Sequence, residues 1–254
     1  MLAETLDEVA CRPGAALTVL DQLVSDPRHG VPVKLLGNRL ALSAATATSK
    51  VEGRLAREAD IRDAFHLTPP GEARGPDGDL LALWRKAVRL RAGGTGEVAD
   101  LVGADFADEL GVWLDAGLER SRTHGPLAGC VAVQRSVLET DGRAERIACL
   151  LSDVVLAQAL NWKTVLPISA QRLTKASLRD LTAGGQGAEL ASQVRILESI
   201  EETIRLARDL AHRGEALRTV APKLRAKGSA AAVGLFLTED AVAPASILSP
   251  RIHG

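Results

Sequence analysis

Apolar residues recur along this chain at intervals of three and four, the spacing that lines one side of an α-helix. Residues 13–26 place Leu17, Leu20, Leu23 and Val24 on one face, and residues 33–52 align Leu36, Leu40 and Ala44. A third helix is predicted from Glu58 to Leu67, ending at Thr68-Pro69-Pro70. Residues 69–78 are rich in Pro and Gly and read as a connection. The next helix spans about Asp79 to Arg91, with Leu80, Leu81, Trp84 and Val88 in line, and Gly93, Gly94 and Gly96 end it. Residues 98–119 form a further candidate, with a break expected near Gly111, and Pro126 opens a helix to about Glu139.

The second half continues the pattern. Residues 143–160 (RAERIACLLSDVVLAQAL) are apolar on most sides, which assigns this helix to the centre of a bundle. Ser169 is the predicted N-cap of a helix over 170–182, broken by Gly184, Gly185 and Gly187. The longest helix is predicted from Ala188 to Arg213, with Leu197, Ile200, Ile204, Ala207 and Ala211 as its stripe. Residues 214–227 are predicted helical with a turn or kink at Pro222, and 229–240 form a last, Ala-rich helix. From Val242 the periodicity ends. The fold expected is all-α, a multi-helix orthogonal or bundle-like domain of about ten helices. Its regions are 1–68, 79–240 and an irregular tail at 241–254.

Composition narrows this further. The 254 residues are 46% hydrophobic, enough for a sizeable core. Only three Phe, three Trp and no Tyr are present, so that core is built from Leu, Val, Ile and Ala. Basic and acidic residues nearly cancel (31 against 32), so the whole chain carries no field that demands nucleic acid or a membrane. Arginine outnumbers lysine 24 to 7, a usage typical of GC-rich bacterial genomes. Cys11, Cys130 and Cys149 are odd in number and widely spaced, which fits buried reduced thiols rather than disulfides or zinc ligands. The opening MLAETLDEVA is too acidic for a signal peptide, and no apolar run reaches the ~18 residues of a membrane span. A cytoplasmic location is expected.

Chemical signals are few. No catalytic residue, metal-ligand set or cofactor motif can be read. The run Thr48-Ser49-Lys50-Val51-Glu52-Gly53 has two readings. One is a helix C-terminus with Gly53 as its cap. The other is a resemblance: the pattern [ST]-x-x-x-E-[GN] is similar to the inhibitory helix of Fic-type AMP-transferases. There the glutamate lies against an arginine that would hold the nucleotide γ-phosphate. That resemblance would make Glu52 the inhibitory residue and Thr48 its helix neighbour. The Fic catalytic signature H-P-F-x-x-G-N-G-R is missing, however. Gly37-Asn38-Arg39 is only a fragment of it, and His29 lies eight residues before Gly37 instead of five. AMP transfer is therefore excluded, and at most a vestigial nucleotide pocket near Glu52 is expected.

Other candidates have structural readings beside functional ones. Asp60, Asp63 and His66 recur every three residues, and His212 follows Asp209 by three, but no full di-iron set exists, so a solvated helix face or a local ion pair is expected. Asp153 interrupts an apolar helix and must be paired or neutral if buried. Arg146, two turns earlier, is a candidate for a buried ion pair with it, as are Arg143 and partners on other helices; a small-molecule site is the alternative. Residues 205–227 carry Arg205, Arg208, Arg213, Arg218, Lys223, Arg225 and Lys227 against two acids. They form a solvated face or a surface that meets a phosphate backbone.

Several stretches carry a broader resemblance: VPVKLLGNRLALSAATATSKVEGR, EADIRDAFHLTPPG, GPDGDLLALWR, RAERIACLLSDVVLAQALNW, SAQRLTKASLRDL and ILESIEETIRLARDLAHR. They resemble the bacterial family called domain of unknown function 1403, over roughly residues 10–252. The resemblance implies a bacterial setting, mainly rhizobia and related α-proteobacteria, and related chains that continue into a winged-helix-like module. It implies no activity. The expected role is a non-catalytic protein-interaction or regulatory module of a bacterial plasmid or mobile element, with a protein partner or self-association. A DNA-binding regulator using 205–227 is the alternative.

Overall fold

Helix ends fall where backbone chemistry places them. The computed structural model of the chain describes residues 6–69, 71–185, 187–224 and 228–241. Eleven α-helices occupy these residues: α1 (Leu6–Ser25), α2 (Val33–Val51), α3 (Glu58–His66), α4 (Gly75–Ala87), α5 (Thr95–Val102), α6 (Ala107–His124), α7 (Pro126–Thr140), α8 (Glu145–Ala159), α9 (Lys175–Ala183), α10 (Ala188–Val220) and α11 (Ser229–Phe236). Short 3-10 turns lie at Pro27–His29, Ala104–Phe106 and Ala221–Lys223. No strand occurs among the described residues; Arg91 and Thr164 form one isolated bridge. The fold is all-α, as its sequence pattern predicts. No described helix is long and apolar enough to cross a membrane.

The core is a continuous aliphatic cluster reaching from Ala16 on α1 to Leu210 on α10. α8 runs through its middle: every residue from Ile147 to Ala157 is buried. α6 and α7 pack on α8 as hairpin neighbours, joined by the single residue Gly125 and by Asp141–Ala144. α1 lies along α10, while α2 and α3 pack on α4 across the Pro- and Gly-rich connection. Thus the regions on the two sides of that connection share one core.

Two glycines let helices approach closely. A Cβ on Gly129 of α7 would lie 1.8 Å from the Ser121 Oγ of α6. A Cβ on Gly37 of α2 would lie 2.5 Å from a Val88 methyl. With few aromatics to fill gaps, the helices close the space by moving together.

Several boundaries differ from the sequence expectation: α1 already begins at Leu6, α4 ends at Ala87 and α11 at Phe236, and four further differences have a visible cause. The break expected near Gly111 occurs earlier, at Gly103, whose φ of 94° interrupts the helix between α5 and the turn before α6. The connection predicted over 69–78 ends sooner, because Gly75 and Pro76 already start α4. Thr174, not Ser169, caps α9: its hydroxyl accepts the Ser177 N–H at 3.1 Å. Finally, α10 continues through Gly214 for 33 residues instead of ending at Arg213. Gly214 is buried there, and the side chains of Arg218 and Leu237 cover it. Pro222 does open a new turn, the 3-10 turn at Ala221–Lys223.

Candidate functional site: three polar clusters in the helical body

The Thr48–Gly53 run ends α2 in a Schellman arrangement. The Arg54 N–H donates to the Ser49 carbonyl (2.9 Å), the Gly53 N–H donates to that of Lys50 (3.0 Å), and Gly53 takes φ +84°. The Thr48 hydroxyl donates to the Ala44 carbonyl (2.7 Å) and accepts the indole N–H of the fully buried Trp84 (3.2 Å). Thr48 thereby satisfies the one polar atom of a core tryptophan. Glu52 sits on the rim, its side chain 19% exposed, and faces two arginines. Arg54 Nη2 lies 2.6 Å from one carboxylate oxygen and Arg146 Nε lies 3.3 Å from the other. Arg54 continues the chain of charges to Asp77 (3.1 Å), which also accepts from the Ser49 hydroxyl (3.2 Å).

Arg146 is therefore engaged by Glu52, and the expected pair with Asp153 is corrected. Asp153 is 1% exposed and points the other way, into the core. Its Oδ1 accepts the backbone N–H of Ile168 (3.1 Å), the N–H of Ser169 (2.8 Å) and the Ser169 hydroxyl (2.7 Å). The Ser152 and Ser169 hydroxyls are 2.8 Å apart. Asp153 Oδ2 has no hydrogen-bond partner among the described residues. Burial pushes the carboxyl up to about 7, against the opposing pull of the Ser169 and Ile168 hydrogen bonds. The role that fits is anchorage of the buried loop Val165–Ala170, whose backbone would otherwise leave donors unpaired.

The third cluster is one that sequence reasoning missed. Arg85 of α4 is 4% exposed and reaches the chain segment after α11. Its guanidinium contacts Glu239 through Nη2 and Asp240 Oδ1 through Nη1 (3.1 Å). His66 Nε2 lies 3.5 Å from the same Asp240 oxygen, and the Phe65 ring stacks under Arg85 with 5.0 Å between the guanidinium carbon and the ring centre. Asn38 adds a bond from its amide to the Thr238 carbonyl (2.7 Å). For Asp240, burial would raise the carboxyl's pKa, but His66 and Arg85 outweigh it and hold it below the usual range. The available signal is Arg85 itself, a charge set within the apolar stripe Leu81, Trp84 and Val88. Lone buried charges require partners.

The remaining candidates resolve into local pairs. Arg57 holds Asp60, and Asp63 meets Arg62 (2.9 Å). Asp209 meets Arg213 at 2.9 Å, four residues on. No group of three or more His, Cys, Asp or Glu that could hold a metal occurs among the described residues. Cys130 and Cys149 are fully buried free thiols. Burial pushes Cys130 up to about 12 and Cys149 well above its ordinary value. The side chain of Cys11 lies outside the described residues, as do Arg225 and Lys227. Arg205, Arg208, Arg213 and Arg218 run along α10, and Lys223 follows in the 3-10 turn. Arg208 shares a surface groove with His29, and Arg218 Nη1 donates to the Gly30 carbonyl (3.2 Å). The turn after α1 thus packs His29 and Gly30 against this stripe, while Arg28 pairs with Asp26 (2.6 Å).

With the fold and these clusters in place, the class is that of an all-helical protein. The chain belongs to the family described as protein of unknown function DUF1403, which it matches over residues 1–252. No curated protein and no solved structure matches it. The likeness of the Thr48–Gly53 run to a Fic-type inhibitory helix is not shown by these comparisons.

Proposed function

We propose that this protein is a non-catalytic interaction module of the bacterial cytoplasm, with α11 as its contact face. The observation that supports the reading is the mismatch between the composition of α11 and its burial. Its sequence, SAAAVGLF, is apolar or small all round, yet only Val233 is buried. A helix apolar on every side belongs inside a structure. Here Phe236 is 52% exposed, and Val220 and Leu224, at the preceding bend, are 47% and 45% exposed. A protein partner, beginning with a second copy of this chain, would cover that face. Sedimentation of the full chain from low to high micromolar concentration, with and without Phe236→Asp, tests self-association. In-cell cross-linking tests other partners. A wild type that neither associates nor cross-links through α11 overturns the reading.

A second reading is duplex DNA contact through the basic stripe of α10. It is favoured by His29, which the fold adds beside Arg208, while Arg28 of the same turn is already held by Asp26 (2.6 Å). Several of these charges are already engaged, Arg213 by Asp209 and Arg218 by Glu215 (3.8 Å). Titration at two salt concentrations decides it: binding must weaken steeply as salt rises. A third reading, the nucleotide pocket, rests on Arg54 and Arg146 around Glu52. Equal heats for ATP with wild type and Glu52→Gly would remove it.

A further inference from the structure

Where α7, α9 and α10 meet, six polar side chains surround a small cavity of about 20 Å³: Gln134, Ser169, Arg172, Ser177, Ser192 and Arg195. No carboxylate is among its lining residues. A space of that size admits a water-sized body or one atom of a larger group.

The use of each polar group decides what the occupant must be. Ser169 gives its hydroxyl proton to Asp153 (2.7 Å), and Ser177 gives its own to the Thr174 carbonyl (2.7 Å). Arg172 is held from the solvent side by Glu198 (3.1 Å) and Glu202. Three groups keep unused donors. Ser192 accepts from Arg195 Nη2 (3.1 Å), which leaves its hydroxyl proton free. Arg195 makes no ion pair among the described residues, so its other N–H groups are uncommitted. Gln134 is 4% exposed, and its side-chain amide has no hydrogen-bond partner among the described residues. Its amide atoms are not cut off from solvent, so the amide is open to a ligand or an ordered water in the cavity it lines.

The unused capacity inside the cavity is therefore mainly donor capacity, beside Arg195 and the already paired Arg172, with no acid in the cavity's own lining. We propose that this cavity is a binding site for a small oxyanion of the phosphate class. One anion oxygen enters the cavity and accepts from Gln134 and Ser192. The other oxygens remain at the mouth, against Arg195. Beyond Arg195 the surface opens into a hollow of about 310 Å³ lined by Asp180, Gly185, Gly187 and Ala191; the Asp180 carboxylate confines the rest of the anion to the Arg195 side. Guanidinium groups suit this task because their N–H groups match the spacing of oxyanion oxygens. The site is independent of the α11 interaction reading.

Calorimetric titration of the full chain with sodium phosphate, against sodium chloride of matched ionic strength, tests it. Four proteins are compared: wild type, Arg195→Gln, Gln134→Leu and Arg213→Gln, the last removing an exposed guanidinium elsewhere on α10. Wild type and Arg213→Gln should give the same saturable heat. Arg195→Gln and Gln134→Leu should bind about tenfold more weakly or worse, the loss of one charge-assisted hydrogen bond. Circular dichroism reports whether each variant is folded. Should Gln134→Leu fail to fold, the half-buried Arg195→Gln carries the comparison alone. No saturable heat in wild type, or equal heats in wild type and Arg195→Gln, overturns the proposal and leaves the cavity a water site.

Discussion

Gly129 on α7 faces Gly117 on α6 so closely that a Cβ on Gly129 would lie 2.4 Å from the Gly117 carbonyl oxygen. The contact sits in the α6–α7–α8 hairpin stack, and Val155 of α8 closes it from the other side. Gly129→Ala forces α6 and α7 apart, because the obstructing atoms include backbone. The expected loss is about 3 kcal/mol, at the upper end of overpacking costs, read as a fall in the chemical-denaturation midpoint. Gly111→Ala, also in α6 but with open space around its Cβ, should be neutral or slightly stabilising.

Asp153 sets a pH dependence of unusual sign. Its carboxyl is pushed up to about 7 in the folded chain, against 3.8 ordinarily. Between those values the folded state holds a proton that the unfolded state has lost. Stability from this group therefore falls as pH rises from about 4 to about 7, by ~4 kcal/mol in all, and is level above 7. Asp153→Asn keeps an oxygen acceptor for Ile168 and Ser169 but cannot ionise. The difference in unfolding free energy between the Asp153→Asn variant and wild type should grow in the variant's favour across that range. A pH-independent difference would contradict the assignment. Asp153→Ala strands the loop's donors at every pH and should lose about 2–4 kcal/mol.

Arg85 ties α4 to the segment after α11 across 155 positions of sequence. Arg85→Ala leaves the buried Asp240 carboxylate with His66 alone and the partly buried Glu239 with only the more distant Lys34 (3.9 Å). A loss of about 3–5 kcal/mol is expected. Amide exchange at 237–241 should accelerate more than in α7 or α8, because the latch opens locally before the core does. Asp240 has a lowered pKa, so its contribution is present above the ordinary carboxylate range and is lost as pH falls through its folded value.

Cys130 and Cys149 should be inert in the folded protein. In a Cys11→Ser background, a thiol-specific disulfide reagent should label neither one until denaturant unfolds the chain, because the reactive thiolate is suppressed by burial. Labelling at the rate of a free thiol under native conditions would contradict the buried placement.

How far these features can be read in advance follows from their range. The α8 core helix, the buried thiols and the Gly53 cap are local, and three- and four-residue spacing or a single glycine signals each. The partner of Asp153 is a loop 15 residues on, and Arg146 turns to Glu52, six helices earlier in the chain. Such pairings depend on how rods cross, which periodicity does not encode. Arg85 is visible as a misplaced charge, but Asp240 cannot be matched to it without the fold. Ser169 is not a cap because the chain after it turns through 170–174 and α9 begins only at Lys175, where the Thr174 hydroxyl is the acceptor.

The interaction reading meets its most direct test at Ala231, an exposed position on α11. A photo-activatable amino acid placed there, in cells expressing the full chain, should yield a defined adduct with a second copy or another protein. The adduct should vanish with Phe236→Asp, while the same probe at Leu55, exposed in the connection after α2, gives none. No adduct at Ala231 beyond the Leu55 background would contradict the account.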